Sequence, residues 1–354
     1  MTGLQTDGRV ADGRLLTVED LRTTFATERG PVRAVDGVSL TLDRGQALGI
    51  VGESGSGKTV LSRSVMGLLP STARREGSIR FGDQDLLGPN APDMSRLWGR
   101  EMSMVFQNPM VSLNPVMRIG EQIAEPLRIH LGMSRRDAKA TAIRLLRDVR
   151  IPEPDRRVDQ YPHELSGGMR QRVMIAIALA CGPTLLFADE PTTALDVTVQ
   201  AQILELIAEQ RAERNMSVVL VTHDLGVVAG HTDVIAVMYG GRLVEIAPTK
   251  VLFSEMRMPY TEALLQSIPR LDQKSHTRLN AIPGRPPDLH DPPRGCAFAP
   301  RCAFARDRCR EEAPPLATAE NPDHKFACWY PVGSPEYHET KERISAGLEI
   351  GSTS

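Results

Sequence analysis

Residues 52–59 read Gly52-Glu53-Ser54-Gly55-Ser56-Gly57-Lys58-Thr59, a GxxxxGK[ST] loop, and no other stretch of the chain restricts its fold as tightly. Residues 47–51 ahead of it are a short apolar run, and residues 59–69 behind it are helix-like until Pro70. Strand, glycine-rich loop and helix in that order bring backbone N–H groups from Gly52, Ser54, Gly55, Ser56 and Gly57 toward phosphate oxygens at a helix N-terminus, where the helix dipole also favours an anion. Lys58 is placed to neutralise β- and γ-phosphates and Thr59 to offer its hydroxyl to Mg²⁺, so the expected ligands are ATP and Mg²⁺. A unit of this kind belongs to an α/β fold built on a largely parallel sheet.

Other segments fill out that sheet. Residues 15–21 and 38–42 alternate as strands leading into the loop, and residues 184–188 and 217–222 are near-continuous apolar strands separated by a helix-like 199–209. Residues 233–238, Gly240-Gly241 and residues 242–245 spell a hairpin. Residues 115–172 read as a helical insert, in which Ser134 and Asp137 form a capping box ahead of Ala138, Ala142, Leu145, Leu146 and Val149, and Pro152 closes the helix. Past residue 269 the composition turns to Pro, Arg and Cys, marking a small module at 269–335 before a polar tail at 336–354; residues 1–14 are a polar tail expected to be disordered. No internal repeat occurs, so the unit at 15–268 is present once.

Composition limits the partners. A net charge of −2 supplies no field that would draw nucleic acid, and no run approaches the ~18 apolar residues of a membrane span, so a cytoplasmic location with membrane attachment only through partners is expected.

Residues 185–188 are an apolar strand ending in Asp189 and Glu190. The strand end points Asp189 toward Mg²⁺ across from Thr59, and Glu190 can act as general base on the attacking water. Leu165-Ser166-Gly167-Gly168-Met169-Arg170-Gln171-Arg172 precedes that strand; Ser166 can cap the following helix, and the free N–H groups of Gly167 and Gly168 make its start a second anion site.

Together these residues resemble the motifs of ATP-binding cassette proteins, with residues 165–172 similar to the family's signature. The resemblance implies a P-loop ATPase domain with a RecA-like core sheet, an antiparallel β subdomain and the helical insert. It also implies roles for Gln107, similar to the glutamine that contacts Mg²⁺ and the attacking water; for Asp196, similar to the aspartate that touches the opposite subunit; and for His223, similar to the switch histidine at the γ-phosphate. Phe25 lies before the first strand pair, at a place resembling the adenine-stacking aromatic, and a core position is its other reading. In the family two cassettes pair head to tail and sandwich each ATP between the loop of one and the signature of the other, so a single copy implies a second ATPase chain, which the resemblance favours as a paralogue.

The wording of the phosphate loop, of Phe106-Gln107-Asn108-Pro109-Met110 with Leu113-Asn114-Pro115, and of Asp189-Glu190-Pro191-Thr192-Thr193-Ala194-Leu195-Asp196 resembles the dipeptide, oligopeptide and nickel importer branch. That implies peptide uptake through two separate membrane permeases, fed by an extracytoplasmic binding protein, with the ATPase peripheral at the cytoplasmic face; nickel or another small solute is the alternative cargo. Ile282-Pro283-Gly284-Arg285-Pro286-Pro287 and Cys296, Cys302, Cys309 and Cys328 resemble the C-terminal extension of the same branch. Five, six and eighteen residues separate these cysteines, which does not match paired Cys-x₂-Cys zinc knuckles. Four thiolates can still hold a [4Fe-4S] cluster or Zn²⁺, or remain unliganded; the resemblance inclines to the cluster, in a structural role. Cys181 stands apart as a small buried residue.

Overall fold

The computed structural model describes residues 13–192, 196–268 and 282–346. Its centre is an eight-stranded sheet in the order β11 (Ala317–Thr318), β12 (Lys325–Phe326), β10 (Arg242–Pro248), β9 (Val234–Tyr239), β3 (Ala47–Val51), β8 (Ser217–Thr222), β7 (Leu185–Asp189), β6 (Met102–Val105). The five strands from β9 through β6 pair in parallel, and β10 turns back antiparallel on β9 through Gly240-Gly241, the hairpin expected there. Successive residues of these strands feed opposite cores. Val51, Leu186, Ala188, Val218 and Leu220 pack on one side, while Ile50, Leu185, Phe187, Val219 and Val221 pack on the other. Burial on both faces is why the strands read as unbroken apolar runs.

A four-stranded antiparallel sheet, β2 (Gly30–Asp43), β1 (Arg14–Thr27), β4 (Ala73–Phe81) and β5 (Gln84–Asp85), closes the second core together with α1 (Lys58–Met66). Both β1 and β2 run well beyond the expected 15–21 and 38–42. Shifts in their pairing near Leu21 and Thr23 break the alternation that would have shown their full length. Helix α1 starts at Lys58 and stops at Met66, three residues before the expected end, because Gly67 adopts a left-handed φ of 68° and caps it.

The helical insert is present as α2 (Pro109–Ser112), α3 (Ile119–Leu131), α4 (Arg135–Asp148) and α5 (Pro154–Arg157), followed by α6 (Gly167–Leu179) against β6. Ser134 caps α4 as expected, its Oγ accepting from Asp137 N at 3.2 Å. Then come α7 (Val197–Arg214), α8 (Leu225–Ala229), α9 (Thr249–Glu255) and α10 (Pro259–Gln266).

The C-terminal module is not an independent body. It adds β12 and β11 to the edge of the central sheet, pairing Phe326 with Glu245 and Lys325 with Ile246, and it carries α11 (Asp307–Glu311). The expected boundary at 269 lies outside the described residues. The polar tail placed at 336–354 needs correction over its described part. Residues there form α12 (Pro335–Ser345), capped by Ser334, with Tyr337 buried, stacked on Phe304 and donating to Glu262 at 2.5 Å. Most of this helix is exposed and charged, which hides the anchoring residue from a composition reading.

Candidate functional site

The site follows from topology. Strands β3, β8, β7 and β6 are neighbours and parallel, so their C-terminal ends lie along one edge of the sheet, and from those ends emerge the phosphate loop, His223, Asp189 with Glu190, and Gln107. Four segments far apart in sequence are thus delivered to one line.

The loop is pressed between β9 and β2. A Cβ on Gly52 would stand 2.2 Å from Met238 O, and one on Gly57 would stand 2.3 Å from Ala34 O, with Gly57 also at φ 100°. Only glycine permits both approaches. Lys58 is buried, and its Nζ donates to Gly52 O at 2.7 Å and Glu53 O at 2.9 Å. Burial pushes the Lys58 pKa down, and the charges of Glu190, Asp189 and Glu53 oppose that shift.

Thr59 Oγ1 donates to Asp189 Oδ1 at 2.9 Å. Asp189 is 1% exposed, its Oδ2 has no hydrogen-bond partner, and burial raises its pKa. A buried carboxylate oxygen left over beside a hydroxyl is a hard-oxygen donor set, and these residues fit Mg²⁺.

Gln107 Nε2 donates to Glu190 Oε2 at 2.8 Å, and His223 Nδ1 stands 3.6 Å from Glu190 Oε1. Glu190 itself holds a left-handed φ of 46° while its N–H donates to Val221 O at 2.9 Å, a strained corner fixed by the neighbouring strand.

Ser166, Gly167 and Gly168 open α6 as expected, with Ser166 Oγ accepting from Met169 N at 3.3 Å. A Cβ on Gly168 would meet Val199 Cγ1 at 2.9 Å, so the glycine lets α6 and α7 approach. Asp196 caps α7, accepting from Val199 N at 3.0 Å; residues 193–195 lie outside the described residues. Phe25 does not precede the first strand pair. It sits inside β1, half-buried and opposite Val32 and Ala73, because β1 extends to Thr27.

Cys296, Cys302, Cys309 and Cys328 line one cavity of about 20 Å³ with Phe298, Phe304 and Trp329. Burial raises the thiol pKa values of Cys296, Cys302 and Cys328, that of Cys302 to about 12, and the charges of neighbouring thiols add to the rise. As placed, no three His, Cys, Asp or Glu side chains among the described residues form a metal-holding group, so the expected four-cysteine centre is gathered but not assembled at ligating distance. Cys181 is half-buried, away from this cavity.

Sequence reasoning missed Arg301 and Tyr260. Tyr260 Oη accepts from Glu53 N at 2.9 Å, and Arg301 forks the Glu53 carboxylate. Neither carries a local signal, since both reach the loop from more than 200 residues away.

Comparison with known proteins agrees with this geometry. Residues 35–193 match the ABC transporter family model, and residues 244–309 match the C-terminal region of oligopeptide/dipeptide transporters. The chain is 50% identical over 318 residues to the oligopeptide transport ATP-binding protein OppD of Salmonella typhimurium, covering 90% of this chain and 94% of that protein. It is 47% identical over 318 residues to the dipeptide transport ATP-binding protein DppD of Bacillus subtilis, covering 89% and 94%. A solved dimeric ATP-binding cassette, MJ0796, in a post-hydrolysis state bound to ADP and Pi, aligns with a TM-score of 0.60 at 26% identity, covering 66% of this chain and 99% of that one. With phosphate loop, signature and paired carboxylates in one chain, and relatives half identical over nearly its whole length, the chain belongs to the ABC transporter family and carries the C-terminal region of its oligopeptide/dipeptide transporters.

Proposed function

We propose that the chain is the ATP-hydrolysing subunit of a peptide importer, and that Glu190 is its general base. The observation that carries this reading is the convergence of Gln107 and His223 on the Glu190 carboxylate at the mouth of the phosphate loop. Glu190 accepts the proton of the attacking water, Gln107 and His223 orient that carboxylate and the γ-phosphate, and Lys58 with the loop N–H groups spreads the charge of the transferring phosphoryl group. Thr59 and Asp189, with Gln107 beside them, would hold Mg²⁺, which would supply Lewis-acid charge neutralisation there. Phe25 offers its ring face to adenine.

Helix α6 packs on β6, three strand spacings or about 14 Å across the sheet from β3, which favours Ser166, Gly167, Gly168 and Asp196 completing the site of a second ATPase chain rather than their own. That partner is a paralogue, and the pair drives two membrane permeases supplied by an extracytoplasmic binding protein. No helix among the described residues is long and apolar enough to cross a membrane, consistent with peripheral attachment at the cytoplasmic face. The names of the relatives favour peptide over nickel as cargo. Capture of the tagged chain from detergent-solubilised membranes is expected to bring down two permeases and a second ATPase; recovery of ribosomes or DNA instead would contradict the reading.

The gathered cysteines support a structural [4Fe-4S] cluster in the C-terminal module, with Zn²⁺ as the alternative. Iron and zinc analysis of anaerobically purified protein decides between them, and a colourless protein with stoichiometric zinc removes the cluster.

A further inference from the structure

We infer that Arg301 of the C-terminal module is a positioning residue for ATP binding: it neutralises and holds Glu53 of the phosphate loop, making the module a clamp on its own chain's nucleotide site. The inference rests on the reading of residues 52–59 as that site.

Glu53 is gripped from three directions. Arg301 Nη1 and Nη2 donate to its two carboxylate oxygens at 2.5 and 2.9 Å. Its N–H donates to Tyr260 Oη at 2.9 Å, and its carbonyl accepts from Lys58 Nζ at 2.9 Å. The residue that takes the Arg301 fork therefore also sets the resting place of the phosphate-binding ammonium. Arg301 is itself immobilised. Its side chain is 4% exposed, Nε donates to Pro283 O at 2.7 Å, Nη2 to Ile282 O at 3.2 Å and Nη1 to Tyr239 Oη at 3.2 Å. Its guanidinium lies 5.8 Å from the centre of the Tyr239 ring, which packs in turn on Tyr260 and Phe298. Pro283, Ile282 and Phe298 all belong to the C-terminal segment, and Arg301 is flanked by Cys302, so the module's integrity determines where the guanidinium stands.

Charge gives the fork its purpose. Glu53 places a carboxylate in a loop built to receive a triphosphate, where an uncompensated anion would repel the ligand. A planar, bidentate guanidinium cancels it and fixes its direction at once, which a lysine cannot do. Removing Arg301 therefore has two consequences: the loop loses its tether, and the nucleotide meets a bare carboxylate. Removing both partners abolishes the repulsion, so the double variant should bind better than the single one.

The test measures binding of a fluorescent ATP analogue with Mg²⁺ to the full-length chain, in variants whose thermal melts show them folded. Arg301→Met is expected to weaken binding about tenfold, the loss of a hydrogen-bonded charge partner, while Glu53→Gln, which loses the tether but leaves no bare carboxylate, weakens it only about threefold. The double variant Arg301→Met/Glu53→Gln is expected to recover to within about threefold. In the assembled transporter Arg301→Met raises KM for ATP and leaves kcat within about twofold. If Arg301→Met does not fold, Arg301→Lys carries the comparison, with a loss of about threefold that Glu53→Gln does not deepen. Unchanged affinity on losing the arginine fork, an Arg301→Met loss not relieved by Glu53→Gln, an Arg301→Lys loss deepened by it, or a fall in kcat at constant KM each overturns the clamp. Lys58→Ala separates the two claims: intact binding in that variant overturns the nucleotide-site reading itself.

Discussion

At Glu190 the chain accepts a left-handed backbone for a residue with a side chain, a conformation that costs about 1–3 kcal/mol and persists only where the surroundings over-determine it. Here β8 holds the N–H while Gln107 holds the carboxylate. Glu190→Gln keeps that geometry and loses the base, so ATP binding should survive while turnover falls by roughly 10²–10⁴-fold, checked by nucleotide binding alongside single-turnover hydrolysis. Asp189 is different in kind. Burial raises its folded-state pKa, so without metal the protonated form is the one the fold prefers, and stability falls as pH rises through that raised value. Asp189→Asn should therefore stabilise the metal-free protein near neutral pH, with the gain shrinking toward acid, while abolishing Mg²⁺-dependent turnover. Melting curves across pH with and without Mg²⁺ would show it, and an equal gain at every pH would argue against this origin. Both carboxylates were legible in the sequence because an apolar strand ends on them; Arg301 and Tyr260 were not, since only the fold brings them to Glu53.

The elements were readable where local chemistry and burial agree. The parallel strands, the hairpin at Gly240-Gly241 and the Ser134 cap all carry their own signals. What escaped was decided by partners distant in sequence. The edge strands β11 and β12 are two residues each and exist because β10 offers a free edge, and β1 lost its alternation to shifts in register against β2. Helix α12 has little apolar surface of its own, and Tyr337 anchors it between Phe304 and Glu262. Tyr337→Ala should cost about 3 kcal/mol in the C-terminal module, seen as faster amide exchange there with the phosphate-loop segment less affected. Gly57→Ala acts at the opposite extreme. With φ at 100° and Ala34 O in the way of a Cβ, it should disrupt the start of α1 and destabilise the cassette by about 3 kcal/mol or more, measured by denaturant unfolding.

For the molecule as a whole, the proposed function makes the phosphate loop with its two carboxylates half of a working site. Ser166 is exposed and caps α6, and on the proposed reading its use lies in a second chain. Ser166→Ala should therefore leave ATP binding by this chain alone unchanged, cost about 1 kcal/mol through the lost cap, and reduce hydrolysis in the assembled complex. The C-terminal module, sewn onto the sheet through β12 and onto the loop through Arg301, makes cassette and extension one mechanical unit. The most direct test of the account is ATP hydrolysis by the transporter reconstituted with its permeases, partner ATPase and binding protein, with and without peptide, for wild type and Glu190→Gln. Peptide should stimulate hydrolysis in wild type and fail to do so in the variant; hydrolysis indifferent to peptide, or full turnover with glutamine at position 190, would contradict it.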